Sequence, residues 1–193
     1  MSSVGVYAKG VAKREEILRA VLRVFDREGN SGTTMRAVAA ESGLSLAGLM
    51  HYFPTRDQLL TEVLVSLDHQ AGDAYFAHGQ LLGPGELLAR RMELNQSDPV
   101  RSRLYVVLLA AATVDPEHPA ALWFRNRFQL FRTVVAAHVR DQQSRGEVPA
   151  HVDPDFAAQS LLAAADGIQN QWLYDDTINM GEYLRTVWRQ LLR

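Results

Sequence analysis

The sequence predicts an all-α protein of about nine helices, with an N-terminal three-helix domain followed by a longer helical region. Three observations lead there. Apolar residues recur at three- and four-residue spacing along most of the 193-residue chain, the period of a helix with one buried face. No stretch alternates apolar and polar residues long enough to make a strand. Proline stands at or just before expected helix starts in Asp98-Pro99, His118-Pro119 and Asp153-Pro154, where its missing N–H costs nothing.

The elements follow in order. Residues 1–12 read as a flexible arm, and Lys9 to Arg14 is basic enough to reach a phosphate or simply to be solvated. Lys13 to Gly29 is an amphipathic helix with Ile17, Val21, Val24 and Phe25 on one stripe, ended by glycine. Thr34 is a natural N-cap for a short helix carrying Met35, Val38 and Ala39 on one face. Gly43 stands where that helix must stop, since glycine alone takes the left-handed backbone without steric cost. Ser45 caps a second short helix, which buries Leu49 and Phe53 and ends at Pro54. Thr55 caps the next helix, running from about Arg56 toward Gln80, and Asp57 sits in its first turn. Beyond Gly83-Pro84-Gly85 come helices near 86–95, 99–114, 119–146, 154–173 and 178–192.

Two short helices joined by a glycine turn form a helix-turn-helix, the device that places one helix in the major groove of DNA. An ordinary helical hairpin shares that periodicity; the flanking helices make the arrangement more specific. The domain boundaries expected are therefore 1–12, 13–56 and 57–193. Formal charge is −2 overall but unevenly spread. Residues 1–56 hold eight basic and five acidic side chains, a net of +3, which leaves −5 on the remainder. A basic end on an acidic body suits a phosphate partner.

Composition excludes several classes. Apolar content of 47% can fill a core, and the chain has no cysteine, hence no disulfide framework, thiolate site or cysteine nucleophile. Runs such as Val106 to Val114 are too short to span a bilayer, and no signal segment is recognisable. A soluble, cytoplasmic protein with no membrane association is expected. The histidines have no metal-ligand spacing, so neither a metal nor a cofactor is expected. There is no phosphate-binding glycine loop and no nucleophile–base set, which disfavours an all-α enzyme or carrier.

The motif residues also resemble the TetR family of transcriptional regulators. The carriers are Ile17-Leu18-x-Ala20-x-x-x-Val24-Phe25-x-x-x-Gly29, Thr33-Thr34-Met35-Arg36-x-Val38-Ala39-x-x-Ser42-Gly43-Leu44-Ser45, and Leu49-x-x-Tyr52-Phe53-Pro54-Thr55-Arg56-Asp57-x-Leu59. The resemblance covers residues 13 to 60 and implies a homodimeric repressor, released from a palindromic operator by a small effector. An activator or architectural factor without an effector is the alternative. It further implies DNA contacts by Thr34, Arg36, Ser45, Leu46, Ala47, Gly48, Met50, His51, Tyr52 and Arg56. Leu46 and Met50 depart from the family pattern, commonly lysine and tyrosine there, which shifts base readout toward thymine methyls and DNA shape. The second domain would bind the ligand and dimerise, through the helices at 154–173 and 178–192. An effector cavity lined by Phe76, Tyr105, Trp123, Phe124, Phe128 and Trp172 would take a mostly apolar or aromatic ligand.

Overall fold

The structure, a computed structural model, describes the backbone of residues 3–76 and 82–193, and side chains of 10–70 and 82–193. Among the described residues there are nine helices and no strand: α1 (Ser3–Gly32), α2 (Met35–Glu41), α3 (Leu46–Tyr52), α4 (Arg56–Phe76), α5 (Pro84–Ser97), α6 (Pro99–Val114), α7 (Ala121–Ser144), α8 (Pro154–Trp172) and α9 (Met180–Leu191). The chain divides into two compact units, Met1–Asp68 with Val107–Ala121, and His69–Val106 with Leu122–Arg193. The first unit thus takes residues from α4 and α6 as well as from the three N-terminal helices.

In the first unit, α1 begins at Ser3, upstream of the Lys13 start that the apolar stripe marks. The regular helix breaks at Gly29, whose φ of 70° and ψ of −172° lie in a region open essentially to glycine alone. The stripe expected on α1 is the one buried: Ile17, Ala20, Val21 and Val24 are fully covered. The glycine turn after α2 is a Schellman motif. Gly43 adopts φ 66°, Leu44 N–H donates to the Ala39 carbonyl at 2.9 Å, and Gly43 N–H donates to Ala40 at 3.2 Å. Three side-chain caps start α2, α3 and α4. The hydroxyls of Thr34, Ser45 and Thr55 accept from the N–H groups of Ala37, Gly48 and Gln58 at 3.1 to 3.2 Å.

The second unit is organised by α9, which packs on α5 and α8. Its core gathers Leu88, Ala89 and Met92 of α5, Leu161, Ala165 and Trp172 of α8, and Met180 and Leu184 of α9. Asp153 caps α8 through the N–H groups of Asp155 and Phe156, and Pro154 occupies its first position. Small residues at 157, 158 and 165 are buried, where they let neighbouring helices approach closely.

An ion-pair network holds α9 to α5. Arg185 donates to both oxygens of Glu86, Nε at 2.8 Å and Nη2 at 2.9 Å, and its Nη1 reaches Glu93 at 2.6 Å. Arg90 adds a bond to Glu86 at 3.0 Å. The Arg185 hydrogen bonds, opposed by partial burial and helped by Arg90, hold the Glu86 carboxyl down to about 2. Its folded-state pKa is therefore depressed below the ordinary value of 4.5. The unfolded chain binds the extra proton between those values, so the stabilisation is present above about pH 4.5 and is lost as pH falls toward 2. Urea unfolding followed between pH 2.5 and 5 should show stability falling on acidification, and Glu86→Gln should flatten that slope.

Candidate nucleic-acid interface

The α3 helix is seven residues long, too short to hold its shape alone, so its position depends on how one side is fastened. Leu49 is fully buried and Phe53, just past the helix, is 1% exposed. Ser45 caps the first turn. Two cations from α1 meet the carbonyl ends of the short helices. Lys13 Nζ donates to the Ser42 carbonyl at 2.9 Å, at the end of α2. Arg14 donates to the Tyr52 carbonyl at 3.5 Å, at the end of α3. Positive charge there complements the helix dipole. The Arg14 guanidinium also lies 4.4 Å from the centroid of the Phe53 ring and pairs with Glu62 at 3.0 Å. Arg23 and Arg27 bind the two oxygens of Glu41 at 2.7 and 3.2 Å, tying α1 to the last residue of α2. These bonds, Arg23 first, hold the Glu41 carboxyl below its ordinary value.

What remains outward on α3 is Ala47, Met50 and His51, all exposed, at i, i+3 and i+4 on one stripe. Leu46, Gly48 and Tyr52 are half-buried, and Ser45 is exposed at the cap. His51 and Tyr52 meet edge to face, ring centroids 5.9 Å apart. The outward stripe therefore carries a methyl, a thioether and an imidazole, with no lysine or arginine.

Positive charge comes from the neighbours. Thr34 and Arg36 are exposed at the start of α2. Among the described residues, Arg36 makes no ion pair, unlike Lys13, Arg14, Arg19, Arg23, Arg27 and Arg56. Arg56 is engaged within the chain. Its Nε donates to the Thr33 carbonyl at 2.7 Å, and its Nη2 donates to the Asn30 carbonyl at 2.5 Å and to Asn30 Oδ1 at 2.6 Å. It straps the α1–α2 connection that presents the Thr34 cap. Of the basic arm, Lys13 and Arg14 are turned onto the chain's own carbonyls, and the Lys9 side chain lies outside the described residues.

The residues expected to line an effector cavity are only partly assembled. Tyr105, Trp123, Phe124 and Phe128 form one aromatic cluster, with centroid separations of 5.3, 4.9 and 5.9 Å. Trp172 lies in the α5–α8–α9 core. The side chain of Phe76 is outside the described residues. The second unit contains a cavity of about 190 Å³ between α5 and α7, lined by none of those five described aromatics but by Leu87, Leu88, Phe131 and Val135 among others, with Arg91 and Arg127. Neither arginine was among the residues the sequence pointed to. The sequence signal was Arg127 four residues after Trp123, and its guanidinium indeed lies 5.2 Å from the Trp123 ring centroid.

On the helices expected to pair, the apolar side of α9 is largely consumed within the chain. Leu184 is fully buried, and Val187, Trp188 and Leu191 are half-buried. On α8, Phe156, Ala163 and Asn170 stay exposed at seven-residue spacing, with Phe156 62% exposed. Tyr183 of α9 is also exposed. No group of three His, Cys, Asp or Glu among the described residues is placed to hold a metal, and no helix is long and apolar enough to cross a membrane.

A short capped helix with its inner side fastened and its outer stripe open, preceded by a glycine-turned helix, defines a helix-turn-helix DNA-binding protein. Residues 17–63 match the model of bacterial regulatory proteins of the tetR family. The chain is 38% identical over 161 residues to the HTH-type transcriptional regulator PksA of Bacillus subtilis, covering 81% of this chain and 76% of that one. Among solved structures, a TetR transcription regulator from Haloarcula marismortui superposes with a TM-score of 0.79 at 22% identity, covering 94% of this chain and 97% of that one. A TetR-family member from Streptomyces coelicolor superposes at 0.70 with 27% identity, covering 94% and 98%. The chain belongs to the TetR family of transcriptional regulators.

Proposed function

We propose that this regulator is a homodimeric repressor that sits on a palindromic operator and is released when a small molecule binds its second unit. The observation that carries the DNA reading is the division of α3 into a bolted side, Leu49 and Phe53, and an open stripe, Ala47, Met50 and His51. A helix so held presents base-contacting side chains in a fixed register. The stripe reads DNA by apolar contact with thymine methyls and by fit. Thr34, Arg36, Ser45, Leu46, Gly48 and Tyr52 flank it, and Arg36 supplies charge to the phosphate backbone. Few free cations per chain make one copy a weak binder, so a symmetric pair meeting two half-sites about 34 Å apart suits the operator. The Phe156, Ala163 and Asn170 stripe of α8 is the surface for that pairing, joined by Tyr183 of α9. Phe156→Arg should move the protein from dimer to monomer in light scattering. The operator form is tested by selecting bound DNA from a random pool: a gapped palindrome is expected, and a single unrepeated half-site would overturn the symmetric reading.

The two arginines near the interface have different work. Arg36→Ala should weaken operator binding for all sequences and reduce the salt slope by about one, with the melting temperature unchanged. Arg56→Ala should lower the melting temperature and the affinity together, while the salt slope stays as it was, because its donors are spent on the 30–33 connection. Operator titrations at four salt concentrations separate the two. A slope change for Arg56→Ala would make it a phosphate contact.

A further inference from the structure

In the major groove a base pair is told from others by hydrogen-bond donors and acceptors, or by one apolar feature, the C5 methyl group of thymine. The outward side of α3 is poor in readers of the first kind. Leu46, Ala47, Gly48 and Met50 have no side-chain N–H or O–H to donate, and the thioether of Met50 is only a weak acceptor. Of the three stripe residues, only His51 can exchange a strong hydrogen bond, and its ring lies edge to face with Tyr52. A phosphate contact by Arg36 would set the register of the helix but carry no base information. Ala47 is exposed, and Met50 beside it on the stripe is 48% exposed. A thioether chain is flexible and polarizable enough to close over a methyl group. Cytosine carries a hydrogen at the C5 position where thymine carries that methyl, and 5-methylcytosine restores the methyl at the same place in the groove.

From this side-chain chemistry we infer that the protein reads the C5 methyl group itself, so that operator binding responds to cytosine methylation. Under Ala47 and Met50, 5-methylcytosine stands in for thymine, while uracil and unmethylated cytosine do not. The inference rests on the assignment of α3 to the major groove and adds a covalent mark on DNA as a regulator of that site.

The test titrates the full-length protein, at one fixed salt concentration, with the operator selected from the random pool. Selection of no operator would remove the DNA reading underneath and the inference with it; the methyl comparisons bear on the inference alone. Replacing half-site thymines by deoxyuridine keeps every base pair and deletes only methyl groups. Affinity should fall about fourfold for one deleted methyl and about fifteenfold for a symmetry-related pair, the worth of burying one or two such groups. A thymine changed to cytosine, with guanine opposite, should weaken binding, and C5 methylation of that cytosine should recover about threefold or more. The double variant Ala47→Ser, Met50→Gln, at two exposed positions, places polar groups against the methyls and should bind thymine and uracil operators nearly alike. Equal binding of the thymine and uracil operators by the unaltered chain, or of the methylated and unmethylated cytosine operators, would overturn the inference and leave α3 as the reading helix. A uracil penalty that persists in full in the double variant would assign the effect to DNA shape and overturn it as well.

Discussion

Ala47→Glu should abolish operator binding, by about a thousandfold or more, while leaving the melting temperature within a degree of the parent. Ala47 is exposed on the open stripe of α3 and has no buried contact to lose. Alanine to glutamate costs little in helix propensity on a surface position. In the complex, however, the new carboxylate would enter a groove walled by phosphates. Like charges brought together in a desolvated interface cost several kcal/mol, and a symmetric dimer suffers the penalty at both half-sites. Gel shift against the selected operator, with thermal unfolding of the free protein beside it, checks both halves of the expectation. Retained binding would mean that the stripe does not face DNA.

Phe53→Ala should do the opposite kind of damage, removing about 3–5 kcal/mol of stability and DNA binding with it. Phe53 is the largest of the fully buried side chains and lies one residue beyond α3. It fills the space under the helix, and its ring is the platform for the Arg14 guanidinium. Deleting it leaves a cavity and strands Arg14, so the end of α3 loses both its packing and part of its cation clamp. Domains hold only about 5–15 kcal/mol in all. Chemical unfolding should show the loss directly, and hydrogen exchange should localise it to α3. A loss below about 1 kcal/mol would show that the helix is held in some other way.

Much of the fold was legible before any coordinates. The caps at Thr34, Ser45 and Thr55, the glycine turn at Gly43, the buried Leu49 and Phe53, and the proline starts at Pro99 and Pro154 are local chemistry, settled within a few residues of chain. The start of α1 was less so, because the apolar stripe marks where burial begins and says nothing of where helical backbone begins. The outward residues of α3 were legible for a related reason: a seven-residue helix with Leu49 buried within it and Phe53 buried just past its end has few others to offer. The charge count was misleading in detail. Eight basic residues promised a basic head, but Lys13, Arg14, Arg23, Arg27 and Arg56 are committed to carbonyls and carboxylates of the chain itself, and Arg19 pairs with Glu15, so that among the described residues Arg36 stands at the start of α2 without an ion pair.

The cavity was not legible. Aromatic residues at helical spacing pointed to a lining, and in the structure four of them pack on one another, Tyr105 and Trp123 edge to face with Phe124 and Phe128 tilted against it. The α9 face shows the same limit. Its wide apolar side suggested a partner chain, but a helix cannot reveal from its own period whether its partner is a neighbour in the same chain or in another, and α5 and α8 cover most of it.

By itself, then, the order of residues determined where helices start and stop, which side of each is apolar, and that one of them is a reading helix. Those properties depend on backbone sterics, capping hydrogen bonds and periodicity, all short in range. Tertiary structure alone decided which arginines are occupied, where a cavity remains, and which side chains line it. Those depend on side chains far apart in the chain, brought together by packing that no local pattern encodes.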